Sequence, residues 1–373
     1  MDATAVVTSV HTKETTRQVY ENNFGTELDF APDADDTQTE FFGECGYRAS
    51  RFQKFPDLVP VTEQVFADHD ADYSSSYRER FRACRTMAWC VREIETGMIR
   101  VQSNSCRLRW CPVCAEARAN IIAHSCREFF EKQSSVRFLT LTQKRNELSL
   151  REQIARIKKS FAKLRRCSGW RKYVTGCVWF LQIKPSCGGK WWHVHLHILL
   201  TGSYIPQDWL SEKWLEVTGD SKIVDIRFVD ELDSALRDVV RYAGRPANLL
   251  DVSPEYRSEL VHATDKIRVC GTTGICKAVS LRPPKFKKDD SRLENLGRYS
   301  TIQRLAATGD ESARDILLAI KNRVPLENAH SFRDVDNFID DEFTGLSPVE
   351  PMERGRAPPG MDVVVEPDDF WDW

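Results

Sequence analysis

His193-Val194-His195-Leu196-His197-Ile198-Leu199-Leu200 carries three imidazoles at alternate positions within an apolar run. A β-strand turns successive side chains to opposite faces, so His193, His195 and His197 share one face while Val194, Leu196 and Ile198 share the other. Burying three polar rings together is costly unless each ring nitrogen finds a partner. One divalent cation satisfies several such nitrogens at once. The pattern therefore points to a sheet-borne metal site as well as to a strand.

Around this strand the hydrophobic spacing builds an α+β unit. Gly176 to Lys184 reads as a preceding strand, and Pro185-Ser186-Cys187-Gly188-Gly189-Lys190 as the turn that makes the two an antiparallel hairpin. Val136 to Thr142 is a short strand rich in β-formers. From Arg151 to Arg166, Ile154, Ile157, Phe161 and Leu164 fall on one helical stripe. The other face carries Arg156, Lys158, Lys159, Lys163, Arg165 and Arg166, which a nucleic-acid binder would lay along phosphates. Pro206 opens a helix from Gln207 to Val217, Val224 to Val229 is a strand, and Glu231 to Tyr242 is a helix. The order β-α-β-β-α-β-α implies helices packed on a mainly antiparallel sheet. Further helices are expected over 291–307 and 310–322.

Charge is partitioned along the 373 residues although the formal net charge is only −2. Residues 1–75 hold 15 acidic and 5 basic side chains, residues 76–190 hold 25 basic and 8 acidic, and residues 326–373 hold 13 acidic and 3 basic. A basic middle between acidic ends reads as a polyanion binder with solvating tails. No apolar run has the length of a membrane span, and the N-terminal stretch is too polar for a secretory signal. The expected setting is soluble and cytoplasmic, without membrane contact. The 12 cysteines then favour metal binding and free thiols over a disulfide framework.

Cys106-Arg107-Leu108-Arg109-Trp110-Cys111-Pro112-Val113-Cys114 is a C-x4-C-x2-C pattern suited to a structural tetrahedral Zn²⁺. Cys90 is the expected fourth ligand, with Cys84 and Cys126 as competitors. Arg107, Arg109 and Trp110 would set cations and a stacking surface beside the metal, facing DNA. The expected organisation is an acidic, flexible region over 1–75, a zinc-binding module over 76–135 and a catalytic domain over 136–250. A helical region, accessory or DNA-binding, follows over 251–325, and an acidic disordered tail over 326–373. The Phe370-Trp371-Asp372-Trp373 end is a candidate for occupying the basic groove or docking on a partner protein.

The helix ending at Tyr242 carries Asp238 one turn earlier, on the same face, with Arg241, Gly244 and Arg245 alongside. Together with Phe138 to Thr142, the His195-Leu196-His197 strand and Arg109-Trp110-Cys111-Pro112-Val113-Cys114, this helix resembles the HUH endonucleases. The resemblance is closest to the initiators (Rep proteins) of rolling-circle plasmid replication that use one tyrosine, and it covers residues 85–250. It implies a ferredoxin/RRM-like fold with a central antiparallel sheet, preceded by the zinc module. It also implies Mg²⁺ or Mn²⁺ on His195 and His197, with Gln182 or His193 as third ligand. Gln182 stands where relatives often have Glu, and Asp238 is one methylene shorter than the usual Glu.

The implied activity is a site-specific, metal-dependent single-strand endonuclease and strand transferase. Tyr242 would attack a phosphodiester, leaving a 5′-phosphotyrosine and a 3′-OH primer, aided by Arg241 or Arg245, with Asp238 positioning the later nucleophile. The implied partner is single-stranded or extruded DNA at a replication origin, with a host helicase or other replication protein. DNA contacts are expected from Arg107, Arg109, Lys158, Lys159, Lys163, Arg165 and Arg166. Two other readings are a rolling-circle-type transposase, which tends to show paired tyrosines, and a non-catalytic zinc-dependent DNA-binding regulator. Metal-dependent nicking separates the last from the enzymes.

Overall fold

The computed structural model of the chain describes residues 45–186, 191–282 and 292–335. The Gly188-Gly189 turn, the acidic segment 1–44 and the tail from 336 to 373, with its Phe-Trp end, lie outside the described residues. No described helix is long and apolar enough to cross a membrane.

The chain enters through three helices, α1 (Cys45–Phe52), α2 (Leu58–Tyr73) and α3 (Tyr77–Arg82), then the hairpin β1 (Ala88–Glu93) and β2 (Ile99–Ser103). Helix α4 (Pro112–Phe130) and strand β3 (Val136–Thr142) follow, then α5 (Leu150–Arg166) and α6 (Ser168–Tyr173). The long hairpin is β4 (Val174–Ser186) and β5 (Trp191–Gly202), succeeded by α7 (Gln207–Thr218), β6 (Val224–Phe228) and α8 (Leu232–Gly244). Last come α9 (Pro254–Thr264), β7 (Cys270–Gly274), β8 (Leu293–Arg298), α10 (Tyr299–Ala307) and α11 (Glu311–Asn322).

The central sheet is antiparallel, in the order β6-β3-β5-β4-β7. Its first four strands form β-α-β-β-α-β with the crossed strand order of a ferredoxin-like split βαβ. Alternation sorts the two faces. Val194, Leu196 and Ile198 pack with Leu139, Leu141, Leu181 and Ile183 beneath α5 and α7, where Ile154, Ile157, Phe161, Leu164, Leu210 and Trp214 are buried. Each such side chain contributes about 1.5–3 kcal/mol relative to exposure. The opposite face bears Phe138, Val178, Phe180 and Leu199 against Ile122, Cys126 and Phe130 of α4 and Leu236, Val239 and Val240 of α8. The histidine row lies on this second face.

Local signals explain the boundaries. Ser149 and Glu152 form a capping box that starts α5, Ser149 N–H donating to Glu152 Oε2 at 3.0 Å. Pro112 occupies the first turn of α4, where its missing N–H costs nothing.

Several expectations change. Residues 45–73, read as flexible, form two helices because Phe52, Leu58, Val65 and Phe66 reach the main core. The central sheet does not end at residue 250, where the expected domain ended, since β7 pairs with β4. The helix expected over 291–307 begins only at Tyr299, because Leu293–Arg298 pairs with β1 in a second sheet, β2-β1-β8. That sheet has its own core of Ile99, Leu296, Tyr299, Ile302, Ile316 and Phe332. Phe332 also removes the start of the region read as disordered tail.

Candidate functional site

The histidine row faces α8. Ring centroids of His193 and His195 are 6.3 Å apart, and those of His195 and His197 are 6.4 Å apart, as a strand repeat dictates. Strand β3 supplies a partner to each inner ring: Thr142 Oγ1 lies 3.1 Å from His195 Nδ1, and Thr140 Oγ1 lies 3.2 Å from His197 Nδ1. Anchoring Nδ1 orients the ring and leaves Nε2 directed at the space under the helix.

Gln182, on β4, fills part of that space. His197 Nε2–H donates to Gln182 Oε1 at 2.7 Å, and Gln182 Nε2–H donates to the Tyr242 hydroxyl. The Tyr242 ring stacks on His197 with centroids 5.6 Å apart and planes 16° apart. A chain His197–Gln182–Tyr242 thus links strand, strand and helix. Burial, then neighbouring Lys184 and His193, pushes the His195 pKa down to about 4. Burial, then His195 and nearby cations, does the same for His197, also to about 4. Both rings are neutral at physiological pH, the form that ligates metals.

His195, His197 and Gln182 present two neutral imidazoles and an amide oxygen, donors that could hold a divalent cation once the Nε2 proton that His197 shares with Gln182 Oε1 moves to Nδ1. His193 stands at the far end of the row, opposite Lys184 in register. Arg241 is exposed, its guanidinium carbon 5.0 Å from the Tyr242 ring centre. Arg245 is set toward the cysteines: burial lowers its pKa, and Cys111 and Glu116 oppose that only in part. Asp238 occupies α8 one turn before Tyr242, but its side chain lies outside the described residues.

The cysteine cluster gathers behind α8. Sγ atoms of Cys84, Cys106, Cys111 and Cys114 all lie within 4.8 Å of one another, and all four residues are buried. The separations Cys84–Cys111 3.9 Å, Cys84–Cys114 3.6 Å and Cys106–Cys114 3.7 Å match a tetrahedron edge, which is about 3.8 Å for Zn–S bonds of about 2.3 Å. Among the described residues no other group of three His, Cys, Asp or Glu ligand atoms converges in this way. The cluster could hold a metal such as zinc.

Cys84, rather than Cys90, completes the set. Strand alternation turns Cys90 into the second core with Leu296 and Tyr299, whereas the β1–β2 hairpin brings its two ends, at Cys84 and Cys106, together. Arg85 and Arg107, each directly after one of these cysteines, adopt left-handed φ of 65° and 54°. Such a turn brings the Cys106 amide to within 3.5 Å of Cys84 Sγ. Burial opposes the Arg85 charge, but Cys114, Cys84 and Cys111 outweigh it and hold its pKa above the usual value. Hydrogen bonds from Cys106, Cys111 and Cys84 hold the Cys114 thiol well below its usual range.

Helix α4 starts inside this cluster and crosses α8 at Gly244. A Cβ on Gly244 would collide with the Ala115 carbonyl, 2.9 Å from its carbon, and Arg118 Nη1 donates to the Gly244 carbonyl at 3.4 Å. The helix bearing Tyr242 therefore rests on the helix that begins at the cysteines.

A model of the replication protein family matches residues 98–304, more than half the chain. The chain belongs to the replication protein family. It is similar to a Protein rep of Staphylococcus aureus, 30% identical over 169 residues, which cover 40% of this chain and 73% of the relative. A Protein rep of Bacillus amyloliquefaciens is 29% identical over 175 residues, 43% of this chain and 52% of the relative, so the chain spans about half of it. A Protein rep of a Bacillus species is 27% identical and covered to 57%. No solved structure matches the chain. The family match spans the histidine strand, Tyr242 and three of the four clustered cysteines, leaving out Cys84.

The expected DNA contacts divide. Lys159, Lys163 and Arg166 are exposed on α5, across the sheet from the histidine row. Arg165 lies over the Phe161 ring, 4.8 Å from its centre. Arg109 and Trp110 are buried rather than presented: Arg109 Nη2 donates to the Ile267 carbonyl at 2.7 Å, and Trp110 Nε1 to Thr264 Oγ1 at 3.2 Å. Arg107 serves the knuckle turn, and its carbonyl accepts from Arg118 at 3.1 Å. Thr140 and Thr142 were missed as functional side chains. Their alternate spacing in β3, equal to that of the histidines, was the available signal.

Proposed function

We propose that this replication protein initiates rolling-circle replication of a plasmid by nicking one strand at the origin with Tyr242. The observation that carries the reading is the Tyr242 hydroxyl held by Gln182, which also holds His197, beside a second neutral imidazole. The phenolic oxygen, deprotonated, attacks phosphorus; the P–O3′ bond breaks, and the departing 3′ oxygen takes up a proton. One ester replaces another, so the bond is conserved for rejoining without ATP.

His195, His197 and Gln182 would hold Mg²⁺ or Mn²⁺, which supplies Lewis-acid polarisation of the phosphodiester. The chain's own groups do the rest. Thr140 and Thr142 fix the rings, and Gln182 holds the tyrosine oxygen as acceptor so that its proton points away from the amide. Arg241 places a cation beside the ring, favouring the phenolate. Asp238, one turn earlier, is the group proposed to position the nucleophile of the closing step. Cys84, Cys106, Cys111 and Cys114 are proposed as a structural zinc site.

Tyr242→Phe removes one oxygen and keeps the stacking ring. Incubated with origin single strands and Mn²⁺, the wild type is expected to yield a peptide carrying a 5′-linked nucleotide at Tyr242 by mass spectrometry. The variant should yield none while still binding DNA. An adduct at another residue would overturn the assignment.

A further inference from the structure

Four arginines line a cavity of about 340 Å³ that none of the steps above uses. Arg109 is buried and Arg118 half-buried, while Arg268 and Arg282 are exposed. Ala243, the residue after Tyr242, and Thr272 of β7 complete the parts of the wall that matter here. Among the described residues, no Asp or Glu lines the cavity. Asp265, whose field reaches Arg109, lies outside the lining and accepts a hydrogen bond from the Tyr77 hydroxyl at 2.8 Å. The backbone carbonyls of Ile267, Gly244 and Arg107 help to hold the two inner guanidiniums in place.

The cavity adjoins the tyrosine site along the sheet. Phe180 is opposite Cys270, and Leu181 N–H donates to the Val269 carbonyl at 2.7 Å. That alignment carries Arg268 alongside Gln182, the residue that holds Tyr242. Guanidinium forks match phosphate oxygens in pairs, and a ring of them around one concavity is the usual arrangement for a phosphate. The volume falls at the low end of small-ligand pockets and exceeds what a bare phosphate needs, leaving room for its sugar.

We propose that this cavity seats a sugar-phosphate of the same DNA strand that crosses Tyr242, one step removed from the scissile linkage. The proposal rests on the strand-nicking reading for its choice of strand, and its phosphate chemistry rests on the arginines alone.

The test uses the full chain carrying Tyr242→Phe, so that bound strand stays uncut, with and without Arg268→Gln plus Arg282→Gln. Fluorescence anisotropy of a labelled single-stranded oligonucleotide is followed across a salt series. Each phosphate contact on a single strand contributes about 0.7 to the slope of log K against log salt. The rim pair is expected to reduce that slope by about 0.7–1.4 and weaken binding by about three- to tenfold at moderate salt. A matched pair, Lys159→Gln plus Lys163→Gln on the far side of the sheet, should change both much less. Equal effects from the two pairs would reduce the result to net charge and overturn the site. Calorimetry with inorganic phosphate and thymidine 5′-monophosphate separates the sources. Binding of these that the rim pair abolishes, with strand binding unchanged, would overturn the strand assignment in favour of a free phosphate ligand. No effect in either assay overturns the site altogether. The readout is binding, so a missing Tyr242 adduct in the wild type would sink the nicking reading without touching this result, and the reverse holds equally.

Discussion

At the scale of single residues, the most informative numbers belong to His195 and His197. Both have pKa values of about 4 against an ordinary 6.5, because burial penalises the imidazolium. Unfolding frees both rings to take up protons between those values, so the unfolded chain binds more protons there and stability rises with pH across the window. The stabilising contribution is complete above pH 6.5 and is lost as pH falls through about 4. Without added Mg²⁺ or Mn²⁺, the melting temperature should drop on acidification from pH 6.5 toward 4. His195→Gln plus His197→Gln should flatten that drop, and identical pH profiles for the two proteins would contradict the burial argument. The histidines themselves were legible from sequence, because alternation in an apolar run has few other meanings. Their partners were not. That Thr140 faces His197 and Thr142 faces His195 depends on the register of two strands more than fifty residues apart, which composition does not encode.

At the scale of elements, the contact between α4 and α8 carries the most weight. Gly244 has no side chain where α8 meets the Ala115 backbone, and a carbonyl cannot swing aside as a flexible side chain can. Gly244→Ala should separate the helices, cost about 1–3 kcal/mol in urea unfolding as an overpacking change, and shift Tyr242 relative to Gln182. Nicking should therefore fall by more than the loss of folded protein accounts for; full activity with unchanged stability would show the crossing to be slack. Elements with strong internal periodicity were readable: the strand expected over 136–142 and the helix expected over 151–166 appear as Val136–Thr142 and Leu150–Arg166. Leu293–Arg298 was not, because its sequence is compatible with a helix and only the edge of β1, from the other end of the chain, makes it a strand.

At the scale of the whole molecule, the cysteine cluster ties together the turn after α3, the end of β2 and the start of α4. Its fourth member could not be chosen by spacing, since Cys84 and Cys90 are both upstream at plausible distances and only the fold separates them. Purified Cys84→Ala should lose its zinc in a metal-release assay and melt at a lower temperature, whereas Cys90→Ala should keep the zinc and lose only packing in the second core. The opposite result would return Cys90 to the ligand set. The central β-α-β-β-α-β unit was readable as an element order, but the β7 extension and the second sheet were not, because both are made by pairings between distant segments. The β1–β8 pairing has a consequence for how the protein is made. Strand β1 leaves the ribosome about two hundred residues before its neighbour β8. Until then β1 has an open edge, and long-range closure of this kind is slow. A chain stalled before Leu293 would carry the tyrosine, the histidines and the cysteines, yet its second core could not close, because Leu296, Tyr299, Ile302, Ile316 and Phe332 all come later.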